Sequence, residues 1–76
     1  MDTDTDTPNA IILTAAQSER HAEGDATVMA YAREQARTMV EARRRWNTTA
    51  RRARLPGIPT RVNIFTADGV LLGFEV

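Results

Sequence analysis

Residues 25–56 read DATVMAYAREQARTMVEARRRWNTTARRARLP, and the reading of this stretch decides the fold. Asp25 or Thr27 is suited to cap a helix, and from there no proline or glycine interrupts the chain until Leu55-Pro56-Gly57. The spacing predicts one helix over about 26–54, a rod of roughly 40 Å at 1.5 Å per residue. Projected at 100° per residue, Val28, Ala32, Ala36, Met39, Ala42, Trp46, Ala50 and Ala53 form one apolar stripe. Ala32, Met39, Trp46 and Ala53 recur at intervals of seven, a seam made thin by its alanines. Arg33, Arg37, Arg44 and Arg51 fall on the far side, with Arg45 and Arg52 beside them. Glu41 stands four residues from both Arg37 and Arg45, the spacing of weak helix-surface ion pairs.

C-terminal to the proline break, residues 61–76 read as an antiparallel β-hairpin around Ala67-Asp68-Gly69. Two registers compete. A two-residue turn at Asp68-Gly69 sets Val62 against Glu75 and splits the apolar residues between the faces. A three-residue loop with Gly69 left-handed sets Thr66 against Val70, Ile64 against Leu72 and Val62 against Phe74. The second is preferred, because it gathers Val62, Ile64, Val70, Leu72, Phe74 and Val76 on the face that packs against the helix. Phe65 and Leu71 are then a cross-strand pair on the outer face.

Working back from the long helix, Gly24 is placed to close a preceding helical segment. Thr7-Pro8 reads as its N-cap and first position, so that residues 10–23 continue as helix. The competing reading makes Ala10-Ile11-Ile12-Leu13-Thr14 a short buried strand, with Thr14 to Gln17 a capping box that opens a shorter helix. The helix is the preferred reading. Residues 1–7 alternate Asp and Thr with nothing apolar to bury, and are expected to be a disordered acidic tail ahead of one small domain over 8–76. The fold class expected is therefore α+β: a helical segment, a long arginine-rich helix and a C-terminal hairpin packed on it.

Net charge is zero, but the charges are segregated. Residues 1–25 hold six carboxylates against Arg20, a net of −5, while residues 33–61 hold nine arginines against Glu34 and Glu41, a net of +7. Such asymmetry points to a basic interaction surface. Every basic residue apart from His21 is arginine, the planar cation that binds carboxylate and phosphate bidentately.

The residue inventory disfavours catalysis. His21 is the one histidine, Ser18 the one serine, and there is no cysteine or lysine, so no nucleophile, base and orienting acid can be assembled. Glu19, His21 and Glu23 lack the helical spacing of metal ligands, and no glycine-rich loop precedes a helix, so neither metal nor phosphate cofactor is expected. The acidic start lacks the basic and apolar regions of a secretion signal, and no apolar run reaches the roughly 20 residues of a membrane span, so a cytoplasmic protein is expected.

What remains is binding. The expected contact residues are Arg33, Arg37, Arg44, Arg45, Arg51 and Arg52, and the expected ligand is a protein partner, with nucleic acid as the alternative. A domain this small buries little core, which favours a homodimer, with Phe65 and Leu71 as interface residues.

Overall fold

The computed structural model describes residues 10–76. In chain order they form β1 (Ala10–Ile12), α1 (Ala15–Ala22), α2 (Ala26–Arg52), β2 (Val62–Phe65) and β3 (Leu71–Glu75). The class is α+β, with two helices and a three-stranded mixed sheet of order β1-β2-β3. The proposed acidic tail and the Thr7-Pro8 cap lie outside the described residues.

One expectation is corrected at the start of the chain. Residues 10–12 are a strand, parallel to β2, with Ala10 opposite Asn63, Ile11 opposite Ile64 and Ile12 opposite Phe65. Leu13 extends the pairing by donating its N–H to the Phe65 carbonyl at 2.9 Å. Three consecutive apolar residues fit strand or buried helix equally well, and the open edge of β2 decides between them. The capping box then opens α1: Gln17 N–H donates to Thr14 Oγ1 at 3.1 Å and Thr14 N–H donates to Gln17 Oε1 at 2.9 Å.

Both helices end in the same motif. Asp25 N–H reaches the Arg20 carbonyl and Gly24 N–H the His21 carbonyl, both at 3.0 Å. At the end of α2, Leu55 N–H reaches the Ala50 carbonyl at 2.8 Å and Arg54 N–H the Arg51 carbonyl at 3.2 Å. These are Schellman caps, in which the residue past the cap turns left-handed. Gly24 takes that conformation in α1, and Arg54 takes it in α2 at φ +61°. Pro56 follows directly, so α2 stops at Arg52.

Asp25 caps α2, its Oδ1 accepting from Thr27 N–H at 3.0 Å and from Thr27 Oγ1–H at 2.6 Å. The hydroxyl and then the amide of Thr27 hold the Asp25 carboxyl below its ordinary value. A folded-state value below the unfolded one stabilises the fold above the ordinary aspartate range and ceases to do so as pH falls through the folded value. Asp25→Asn keeps a capping oxygen but removes this titration. Its acid-unfolding curve, followed by circular dichroism, is expected to lose part of the wild-type slope at the acid end.

The core lies between one face of the sheet and α2: Leu13, Val28, Ala32, Ala36, Val40, Val62 and Ile64, with Ile11, Met29, Met39 and Leu72 at its margin. The buried stripe of α2 is turned relative to the projected one, taking in Val40 and Arg43 and leaving Ala42 and Trp46 exposed. Arg43 is only 7% exposed, and its guanidinium donates to the Arg61 carbonyl at 3.5 Å. The seam at intervals of seven is thus not the buried face, because the buried positions Val28, Ala32, Ala36 and Val40 recur every four residues rather than every three and a half.

The hairpin combines the two registers weighed above. Its turn is the three-residue loop: Thr66 N–H donates to the Val70 carbonyl, Gly69 N–H to the Thr66 carbonyl, and Gly69 sits at φ +92°, where a side chain would be strained. Phe65 opposite Leu71 continues that register, but Ile64 is opposite Gly73 and Val62 opposite Glu75. A β-bulge at Leu72 inserts the extra residue. Leu72 still packs toward the core while Phe74 turns outward, 44% exposed, so the expected pairs Ile64–Leu72 and Val62–Phe74 do not form.

Candidate macromolecule-binding surfaces

The bulge has an electrostatic result. It brings Glu75 to the helix side of the sheet, where its carboxylate accepts from Arg33 at 3.0 Å and faces Arg37 at 3.6 Å. Gly73 is next to this pair, and a Cβ there would lie 2.9 Å from the Arg33 guanidinium. Arg33 and Arg37 therefore bind their own sheet, which separates them from the expected contact set. Glu41 makes neither of its expected ion pairs, since Arg37 turns to Glu75 and no partner carboxylate meets Arg45 among the described residues.

Arg44, Arg45, Arg51 and Arg52 are all exposed. Among the described residues none of the four has a carboxylate partner. The helical repeat arranges them as two adjacent rows, Arg44 with Arg51 and Arg45 with Arg52, each row spanning about 10 Å. This half of α2 extends past the sheet and is backed by the returning segment 53–61. Asn47 pins that segment from both sides, its Nδ2 donating to the Ile58 carbonyl at 2.9 Å and its Oδ1 accepting from Ile58 N–H at 2.8 Å. Trp46, Leu55 and Ile58 are 44%, 51% and 40% exposed at the same end. The arginines thus share their end of the molecule with large apolar side chains.

A second surface is the sheet face turned away from the helices. Its rows follow from the register: Ala10, Asn63 and Phe74 in one, Ile12, Phe65 and Leu71 in the other. Ile12 is 66% and Leu71 48% exposed, with Phe65 half-buried between them. Arg61 stacks on Phe74, 3.7 Å from the ring centroid, and is steered there by donating from Nε to Asn63 Oδ1 at 2.8 Å. Sequence reasoning named Phe65 and Leu71 but missed Ile12, which it placed in a helix, and Phe74, which it placed in the core.

A groove of about 690 Å³ runs between α2 and the outer edge of β1, lined by Ile12, Leu13, Tyr31, Gln35, Thr38 and Met39 among others. It brings no nucleophile and base together. Ser18, the one hydroxyl considered for catalysis, accepts the Ala67 N–H at 2.9 Å and so ties α1 to the hairpin turn. Among the described residues there is no cluster of three or more metal-ligating side chains, and no helix is long and apolar enough to cross a membrane. Comparison with protein-family models, with curated proteins and with solved structures finds no match to this chain, so its own geometry carries the functional reading.

Proposed function

We propose that the protein is a non-enzymatic accessory or regulatory protein that binds a partner protein through the distal half of α2. The carrying observation is the cluster of Arg44, Arg45, Arg51 and Arg52, exposed and without carboxylate partners among the described residues. Trp46, Leu55 and Ile58 at the same end favour a protein over a polyanion. Arginine and tryptophan are enriched at protein interfaces, and an apolar patch with a charged surround matches a partner having acidic groups around an apolar centre. Phosphate tracking needs cations alone. Nucleic acid is the second reading, supported by the two arginine rows and by the exposure of Trp46, whose ring is open to stacking at its free face.

Trp46 is the sole tryptophan and reports on this surface directly. Its fluorescence is followed while the protein is titrated with polyglutamate, as an acidic polypeptide, and with mixed-sequence duplex DNA over a salt series. The expected result is saturable polyglutamate binding at low salt that weakens at least about tenfold in Arg44→Glu/Arg51→Glu, with DNA binding lost near physiological salt. DNA affinity that persists there, with a slope set by the number of phosphates neutralised, would establish the second reading instead. Failure to bind either probe at low salt would remove the arginine face as a binding surface.

A further inference from the structure

The molecule is a thin slab. Its extents are 47 × 27 × 13 Å, and the short dimension holds one helical layer and one sheet. A sheet buried on one side only usually presents polar residues on the other. Here the other side carries Ile12, Phe65, Leu71 and Phe74, with Asn63 and the stacked Arg61 as its polar members.

We infer that this sheet face is covered by a second copy of the chain, the two sheets packing face to face about a two-fold axis that runs across the strands. The inference does not depend on the arginine-face reading, since the two surfaces belong to different layers of the slab. A two-fold interface must be complementary to itself, and the charges here meet that condition in one orientation. Arg61 lies at the start of β2 and Asp68 at the hairpin turn beyond its other end, with Phe65 near the midpoint. An axis across the strands near Phe65 sets Arg61 of each copy against Asp68 of the other, twice. An axis along the strands would set like against like.

The rest of the slab agrees with the first orientation. The Ser18–Ala67 hydrogen bond places α1 and the turn at one end, where Glu19, Glu23, Asp25 and Asp68 outnumber Arg20. The opposite end carries Arg44, Arg45, Arg51, Arg52 and Arg54. Antiparallel copies face acidic end to basic end. With strands of three, four and five residues the sheet face is smaller than the roughly 800 Å² that each partner contributes to a standard interface, so the dimer is a weak one that forms with rising concentration. The centre of such an interface is the row Ile12, Phe65 and Leu71, apolar and uncharged, and its rim is the Arg61 and Asp68 pairs.

Analytical ultracentrifugation of the full chain over a concentration series tests this, with circular dichroism reporting on folding. The wild type is expected to be a dimer whose dissociation constant rises with salt. Leu71→Glu is expected to raise that constant at least about tenfold while helix content is unchanged. Arg61→Asp and Asp68→Arg are each expected to weaken the dimer, and the double exchange to restore it, because the restored pair forms only between copies. A wild type that stays monomeric at the highest concentration overturns the inference. A folded Leu71→Glu variant that dimerises like the wild type also overturns it, and a double exchange no better than the single ones overturns the antiparallel arrangement.

Discussion

Ile64→Ala is expected to leave the domain largely unfolded at moderate denaturant. Ile64 is fully buried at the centre of the middle strand, between Ile11 on β1 and Gly73 on β3. The helix contributes Ala32 and Ala36 to the same core, both almost without exposure. Alanine lets α2 approach the sheet closely, so the volume that fills the contact comes from Ile64, Val62 and Val40. Alanine at 64 removes the largest of these fully buried side chains, and neighbouring alanines cannot extend into the void. Such truncations cost about 2–5 kcal/mol. Total stability at 0.05–0.15 kcal/mol per residue is only about 4–11 kcal/mol for this chain, so the loss takes a large share. Urea unfolding followed by far-ultraviolet circular dichroism should show the midpoint falling steeply. Ile64→Val, which removes one methyl group, should lower the stability by only about 0.5–1.5 kcal/mol, and equal effects from the two would contradict this packing account.

The second large effect is expected at Asn47, far from that core. Its side chain makes two hydrogen bonds to Ile58, one as donor and one as acceptor, and is the clamp that returns residues 53–61 along α2. At about 0.5–1.5 kcal/mol each, Asn47→Ala should cost about 1–3 kcal/mol. The consequence should be local as well as global. Amide exchange at Ile58 should accelerate by at least about tenfold, while amides of β2 follow only the loss in global stability. Gly57 fits the same account, since a Cβ there would lie 3.1 Å from Asn47 Oδ1. Uniform acceleration across the chain would show that the clamp has no independent local role.

How far the sequence could be read depended on the distance over which each decision was made. An N-cap at Asp25 or Thr27, the span of α2 to within two residues, Gly24 as a terminator and the three-residue turn with Gly69 left-handed all follow from residues within a few positions of one another, and the structure has them, with Asp25 as the cap. The bulge at Leu72 could not be found that way. The apolar residues alone favour the register that turns Glu75 outward, whereas Arg33 and Arg37, some forty positions earlier, make an inward carboxylate favourable. The same non-local contact removed two arginines from the expected binding set and turned Phe74 outward. The strand at Ala10–Ile12 was one of two readings of a short apolar run, and only β2 as a neighbour distinguishes them. The stripe of α2 was expected to meet the sheet through Met39 and Trp46, and the structure meets it one step round the helix. The sheet turned it, exposing Trp46 and burying Arg43.

The parallel pairing of β1 with β2 carries a kinetic consequence. During synthesis the first strand leaves the ribosome while its partner has yet to be made, because Ala10 pairs with Asn63. Helix and hairpin-turn hydrogen bonds form between near neighbours, whereas β1 must close a loop containing both helices before it gains a hydrogen bond. Folding of the nascent chain is therefore expected to begin with α2 and the hairpin and to finish with β1. A three-residue edge strand that closes last also opens first, so native-state hydrogen exchange should find the amides of Ile11 and Leu13 released before those of Ile64.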